Sequence, residues 1–547
     1  MVELAPLNDP NSLLSWCLAR GVIAPKLRIA GTGVHRGLIA IETIYPSETL
    51  LTIPSTLLIS RSRCLCDSLL EHVYREQARL FDHQEDAVLA VFLAFHKIIL
   101  AEKSPWYVYL QSLPEIDVLS DWDTIELDEL QDIALKDIAR ERQNESSLLA
   151  KSIVTRLCST YPKLFPSEVF TERLFLWAYK NVASRGFGSR VDEVQLVPLA
   201  DMFNHSNESR TKYELLSVFS KKNRIESESL SNMESTENVS VDASLILNDK
   251  NISCVTSTID KEVCDHHHHH SIIKQINETH DPTLPIKETI FRMYSTSSSL
   301  GYAAGEMVTF SYGRRDNSHL LMEYGFALDK NEHETLVLTR PPIQTLSFEA
   351  KEILTSEQYV CGPFNLVFGR IDGHLLSYFR AIALSQDSEN FNKWARGDIR
   401  SLNHPFSSKG EQCALALYSN YLMDFLSTAF PTTIEQDEAK QKEVSGSRQV
   451  SNVSGSRLLL ALQYRLEKKR LLLKHIQMSR ARLEELTIAL GSYKTSSLAL
   501  DSLPTLFGTR SKSEGKDVSF DTQEEEGDDI SGFKLSDFSE KSSSSEE

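Results

Sequence analysis

The stretch Leu199-Ala-Asp-Met-Phe-Asn-His-Ser206 ends an apolar run in an Asn-His pair. Asn and His at the end of a strand offer amide, ring and backbone polar groups to the edge of a polar ligand. Taken alone, the pair reads as a structural turn. Its weight comes from two later segments, Phe310-Ser-Tyr-Gly-Arg-Arg-Asp-Asn317 and Leu320-Leu-Met-Glu-Tyr-Gly-Phe326. Tyr312 precedes Gly313, which has no side chain, so a ligand can approach the backbone closely. Tyr324-Gly325-Phe326 repeats the pattern. Any one of these tyrosines would pass for a core residue. Their joint order and spacing carry the information.

Upstream of the pair, Leu13 to Leu18 predicts a short helix closed by Gly21. Short apolar runs follow at Gly37-Leu-Ile-Ala40, Leu50-Leu51, Ile53-Pro54 and Leu57-Leu-Ile59. Gly, Pro and Ser punctuate them, so they read as strands. From about residue 68 to 180 the apolar period turns helical, with Val88, Leu89, Val91, Phe92 and Phe95 on a helix that Asp86 would cap. Leu174 to Val182 is a second apolar helix.

Downstream, residues from about 208 to 285 are rich in Ser, Asn, Asp and Glu and predict a disordered polar insertion. Strand character resumes at Ile290 to Tyr294 and Met307 to Tyr312, with a turn at Ala304-Gly305-Glu306. After about Leu336 the chain reads as helical. Gln436 to Ser454 looks like a polar linker, and 457–490 a long basic helix with a solvated face. Ser454 or Ser456 would cap its start and Gly491 its end. Residues 509–547 form an acidic, Ser-rich tail.

The chain has 547 residues and a net charge of −18, much of it in that tail. An acidic protein has no electrostatic pull toward bare nucleic acid. It does attract basic proteins. The eight cysteines are sparse and irregularly spaced, which fits a reducing compartment better than a disulfide framework. The most apolar run, Ala87 to Leu100, is too short to span a bilayer and contains His96 and Lys97. Cys264-Asp-His266 to His270 gathers ligand types but lacks a second spaced pair, so no metal site is expected.

In combination, these residues resemble the SET-domain protein methyltransferases, in the branch typified by the Rubisco large-subunit lysine methyltransferase, which includes fungal ribosomal-protein lysine methyltransferases. Gly37-Leu-Ile-Ala40 through Ile53-Pro54 looks like the opening strands. Ser104-Pro-Trp-Tyr-Val-Tyr-Leu110, Trp177-Ala178 and Ser184-Arg185 look like the inserted helical region. Asp201-Met-Phe-Asn-His205 looks like the cofactor motif, and Tyr312-Gly313 through Tyr324-Gly-Phe326, with Asn331, like the C-terminal motif. The resemblance covers roughly residues 25–335 apart from the insertion. Cys64-Leu-Cys66 matches the family's zinc-bearing C-terminal element only superficially.

The resemblance implies an α+β chain. A helix at 1–24 would lead into a SET fold over 25–326, made of short β-sheets with a helical insert at about 68–180. A mostly helical substrate-binding domain would follow at 336–500. It implies S-adenosylmethionine as methyl donor. Asn204 and His205 would hold it largely through backbone groups, with Asp201, Met202 and Phe203 beside them. Arg185 would face its carboxylate. Ile39 and Ser62, Arg63 and Cys64 would line its pocket, and Tyr324, Gly325 and Phe326 would pack near the adenine. Tyr312 would stand beside the transferred methyl as the catalytic phenol, and Phe187 would wall the acceptor channel.

The implied reaction is N-methylation of a lysine on a basic, non-histone protein, with a ribosomal protein as first choice. The enzyme would be a monomer of cytoplasm and nucleus. Two alternatives remain. One is a protein-histidine methyltransferase, whose branch carries Asn where this chain has Phe187. The other is a SET-like scaffold without catalysis.

Overall fold

Two small sheets face each other around the motifs, and a computed structural model describes them within residues 10–31, 36–82, 84–188, 193–218, 288–297, 300–338, 347–356, 363–399, 401–446 and 453–489. The first sheet has the order β1-β2-β9-β6, where β1 is Leu27–Ala30, β2 Gly37–Ala40, β6 Asn204–His205 and β9 Met307–Phe310. The second has the order β3-β8-β7, with β3 Thr49–Pro54, β7 Thr211–Val218 and β8 Glu288–Ser295. A short pair joins β4 (Ile59–Ser60) to β5 (Gln195–Leu196). The first apolar runs do form strands, but not the meander their spacing suggests, since only β1 and β2 pair with each other while β3 joins β8 and β4 joins β5.

The helical insert spans Glu71–Glu76, Glu85–Ala94, Tyr107–Ser112, Thr124–Asp128, Ile133–Thr160 and Glu172–Arg185. Every residue from Ala87 to Ala94 is buried, so this helix is apolar on all sides and forms the middle of the core. Asp86 does not cap it. Helix starts one residue earlier, at Glu85, and Gln84 stands at the cap with no side-chain bond. The Glu172–Arg185 helix is capped by Thr171, whose side chain accepts from the Leu174 N–H. Its last residue is Arg185, which places that guanidinium at the site.

The polar insertion expected from residue 208 starts later. Thr211 to Val218 is a strand that pairs residue for residue with β8, from Thr211↔Ser295 to Val218↔Glu288. Alternation in Thr-Lys-Tyr-Glu-Leu buries Tyr213 and exposes Lys212. The rest of the insertion, the Cys264–His270 cluster, Gly491 and the acidic tail lie outside the described residues.

The C-terminal part is not wholly helical. It opens with an antiparallel pair, β10 (Thr335–Leu338) with β11 (Phe364–Val367). Helices Phe348–Ser356, Gly373–Ser385, Ser388–Ala395, Ser408–Ala429, Ile434–Gly446 and Val453–Ala489 make up the remainder. The expected linker from Gln436 is mostly the helix Ile434–Gly446. The long basic helix is not solvated either, since Lys468 and Lys469 are each 1% exposed and Arg465 4%. Burying an ammonium costs several kcal/mol unless it is paired. Here Lys469 meets Asp437 at 2.5 Å, Arg465 meets Asp437 at 2.8 Å, and Lys468 meets Glu334 at 2.6 Å. Among the described residues no helix is long and apolar enough to cross a membrane.

Candidate active site

Parallel pairing of β6 with β9 brings the two distant motifs side by side, with Asn204↔Thr309 and His205↔Phe310 in register. Tyr312, just past the end of β9, is then held at both ends. Its backbone N–H donates to His205 Nδ1 at 3.0 Å, and its hydroxyl donates to the Phe203 carbonyl at 2.8 Å. A ring nitrogen that accepts an N–H must be unprotonated, so His205 is neutral in this arrangement. Burial lowers its pKa in the same sense, while Asn207 and the Phe310 backbone oppose the shift. His205 therefore acts through its ring to place Tyr312, as well as through its backbone.

Further contacts lock the motifs together. The Tyr312 ring lies 4.8 Å from that of Tyr324 and 5.1 Å from that of His205, centroid to centroid. Asn207 donates to Asn331, which donates to the Arg315 carbonyl, and Asn317 donates to the Leu328 carbonyl. Gly325 is required, since its φ of +73° is left-handed and an added Cβ would sit 1.9 Å from the Asp117 carbonyl oxygen. Gly37 lies close as well, since a Cβ there would fall 2.6 Å from Asn204 Nδ2 and push that side chain aside.

A cavity of about 440 Å³ opens beside Tyr312. Of the residues expected at the site, Arg185, Phe187, Asp201, Phe203, Tyr312 and Tyr324 line it. One wall is aromatic. Phe187 packs 5.2 Å from Tyr213, 5.1 Å from Phe291 and 5.9 Å from Phe310. Sequence reasoning missed Tyr213 and Phe310. Alternation through residues 211–215 was the available signal for Tyr213, hidden by the polar composition that follows.

Part of the lining is charged. Arg185 Nη1 donates to the Asp201 carbonyl at 2.9 Å and lies 3.3 Å from its carboxylate. The Tyr109 hydroxyl donates to the same carboxylate at 3.1 Å. Burial raises the Asp201 carboxyl, against the pull of Arg185 and Tyr109. Arg36 belongs to this group as well, drawn below its ordinary range by burial and then by Arg185. Both guanidiniums thus act on one carboxyl. Arg185 Nε is buried with no hydrogen-bond partner among the described residues. An unsatisfied buried donor of this kind suits an anionic group such as a carboxylate. Burial also holds the Tyr312 phenol well above its usual range, so it stays protonated.

The remaining expected residues do not line the cavity. Ser62 gives its backbone N–H and hydroxyl to Glu193 at 2.8 and 2.9 Å. Arg63 donates to the Ser55 carbonyl and lies over the Trp106 ring. Cys64 is fully buried in the core. These three pack within the helix Arg61–Leu65, which turns their side chains to other partners. Ile39 pairs with Met307 in the sheet, and Met202 is buried. Asn204, His205, Gly325 and Phe326 stand behind the lining as its support.

A family model described as Rubisco LSMT substrate-binding matches residues 346–472. The chain is 27% identical over 222 residues to the N-lysine methyltransferase SETD6 of Bos taurus, covering 36% of this chain and 47% of that protein. It is 30% identical over 191 residues to the actin-histidine N-methyltransferase of Canis lupus familiaris, covering 31% of this chain and 30% of that protein. The alignments thus span about half the length or less of these curated relatives. Among solved structures, the SET domain of LSMT bound to lysine and AdoHcy is 19% identical with a TM-score of 0.55, covering 92% of this chain and 99% of that one. Rubisco LSMT bound to AdoMet is 19% identical with a TM-score of 0.51, covering 91% of this chain and 99% of that one. The fold is therefore that of LSMT, an α+β SET domain of short sheets followed by a largely helical C-terminal part.

Proposed function

We propose that this protein transfers a methyl group from S-adenosylmethionine to a lysine side chain of another protein. The observation that carries this reading is the double anchoring of Tyr312, by His205 and by Phe203, at the edge of a cavity with one aromatic wall and charged lining residues. When bound, the donor supplies a methyl group on a positively charged sulfur and a carboxylate. Arg185, supported by Asp201 and Arg36, offers the charge that fits the carboxylate.

The acceptor amine must be neutral to react. From a pKa of about 10.4, deprotonation at pH 7 costs about 4–5 kcal/mol. Phe187, Tyr213 and Phe310 remove water from the acceptor side, which disfavours the ammonium form. The positive sulfur of a bound donor would disfavour it further by like charge. The Tyr312 hydroxyl donates its hydrogen bond to the Phe203 carbonyl, so its oxygen keeps acceptor capacity for an amine N–H. No dedicated general base is needed. Alignment of amine and methyl supplies much of the remaining acceleration.

A lysine acceptor is favoured over histidine by the aromatic Phe187, which supplies no polar group to an imidazole. Similarity to lysine-specific and histidine-specific relatives makes both acceptors worth testing. The chain's net charge of −18 favours a basic substrate, and a ribosomal protein is our first choice. We place the enzyme in cytoplasm and nucleus, as a monomer. Deleting the gene and weighing every ribosomal protein intact tests the assignment. Loss of whole methyl units from one protein identifies the substrate, and no change in any refutes the ribosomal reading. Incubating the purified enzyme with radiolabelled donor and extract from the deletion strain tests methyl transfer itself. Acid-hydrolysed label would run as methyl-lysine, and label in methyl-histidine would favour the second acceptor.

A further inference from the structure

The buried charges of the Val453–Ala489 helix have no role in the chemistry above, yet their placement is selective. Lys468 donates to Glu334 Oε1 at 2.6 Å, to the Thr335 carbonyl at 2.6 Å and to the Ser318 hydroxyl at 2.9 Å, and lies 3.4 Å from Asp316 Oδ2. Asp316 is the N-cap of the helix Asn317–Tyr324, accepting from the His319 N–H at 3.0 Å. Ser318 is in its first turn. At its other end stands Tyr324, which lines the cavity and packs on Tyr312. The same long helix reaches beyond that end. Arg457 grips Asp117 at 2.6 and 3.0 Å, and the Asp117 carbonyl is the atom packed against Gly325. Gln463 donates to the Leu328 carbonyl at 3.4 Å.

We propose that Lys468 is a positioning residue for the methyl-transfer site, coupling the C-terminal helical part to the cavity through Asp316, the Asn317–Tyr324 helix and the Tyr324 ring. This rests on the proposed methyl-transfer function for its effect on the donor, though not for its effect on the helix. A cap tied to a buried ammonium cannot shift without breaking charge-assisted bonds in a low-dielectric setting. The one helix that carries Lys468 is also packed along Ser408–Ala429 and Ile434–Gly446. Movement of the C-terminal part therefore reaches Tyr324 through a short chain of stiff contacts.

A buried pair elsewhere in the same part provides the control. Arg380 meets Glu411 in a two-pronged bond of 2.6 and 2.7 Å, between the Gly373–Ser385 and Ser408–Ala429 helices, with no contact to residues 316–326. The test compares full-length Lys468→Met/Glu334→Gln with Arg380→Met/Glu411→Gln, each removing both charges so that neither is left buried alone. Two quantities are read. One is the dissociation constant of S-adenosylhomocysteine by calorimetry. The other is hydrogen exchange of the 317–324 amides. The Lys468 double variant is expected to weaken binding about tenfold, within the span of coupled sites, and to speed exchange across 317–324. The Arg380 double variant is expected to lower the melting temperature while leaving both readings within twofold. Unchanged exchange at 317–324 in a folded Lys468 variant overturns the proposal, as does an equal change in the control. Exchange needs no ligand. If the wild-type protein fails to bind the probe, the methyl-transfer reading falls and exchange alone decides the coupling.

Discussion

The Tyr312 hydroxyl donates to the Phe203 carbonyl at 2.8 Å, so the end of one motif is tied to the residue just before the Asn-His pair of the other. Tyr312→Phe removes that bond and the only hydroxyl at the ring's tip. Methyl transfer is expected to fall by roughly 100-fold or more, on the scale of losing one preorganised polar group. The orphaned carbonyl costs about 1–3 kcal/mol, which leaves the fold standing. Turnover with radiolabelled donor, alongside a thermal melt, separates the two effects. Unchanged turnover sinks the role given to Tyr312.

Arg185 is the cation best placed for the donor's carboxylate, and its charge cannot be replaced by size alone. Arg185→Gln is expected to weaken S-adenosylhomocysteine binding about 10- to 100-fold, as charged hydrogen bonds are lost. Arg185→Lys is expected to rescue little, because an ammonium cannot serve Asp201 and a ligand with a planar fork. Calorimetry on both variants decides. Equal affinity in Arg185→Lys and wild type would remove the guanidinium from the site.

Two left-handed glycines make opposite forecasts. Gly325→Ala meets the Asp117 carbonyl at 1.9 Å, whereas Gly305→Ala, at φ +84°, meets nothing within 4 Å. The second should cost only about 1–2 kcal/mol, the penalty for an L side chain in that conformation. The first must also move backbone, and should cost clearly more while loosening donor binding through Tyr324 and Phe326. Denaturant unfolding of the pair measures the difference.

His475 gives a pH dependence whose sign follows from its burial. Nδ1 lies 2.9 Å from the Tyr418 hydroxyl, and Nε2 lies 2.9 Å from the Val367 carbonyl, to which it donates. Burial lowers its pKa. The unfolded chain therefore takes up the proton first, near the ordinary value of about 6.5. Stability from this group is full above that value and is lost as pH falls below it. Between pH 7.5 and 5.5 the melting temperature of wild type should drop further than that of His475→Gln. Parallel curves would refute the linkage.

Much of this site was legible because its motifs are local. Phe203, His205 and Tyr312 could be assigned to one place, and Arg185 and Phe187 line the cavity beside Tyr312. What stayed hidden depends on partners far along the chain. Lys468 and Lys469 look like solvated cations on a helix until Glu334 and Asp437 close on them. Tyr213 was lost in a polar stretch because a strand of eight residues carries little periodic signal. Ser62, Arg63 and Cys64 were placed at the pocket by resemblance, and it is Glu193, the Ser55 carbonyl and the surrounding core that claim their side chains.

Val218 and Glu288 are Cα partners at the last step of the β7–β8 ladder. The last described residue before 219 and the first after 287 are thus neighbours, at the end of an eight-residue ladder that starts at Thr211. Closing a longer loop adds only about 0.6 kcal/mol per doubling. This junction is consequently a port where evolution can lengthen the chain, or an experimenter can splice in a reporter, without retuning the catalytic geometry.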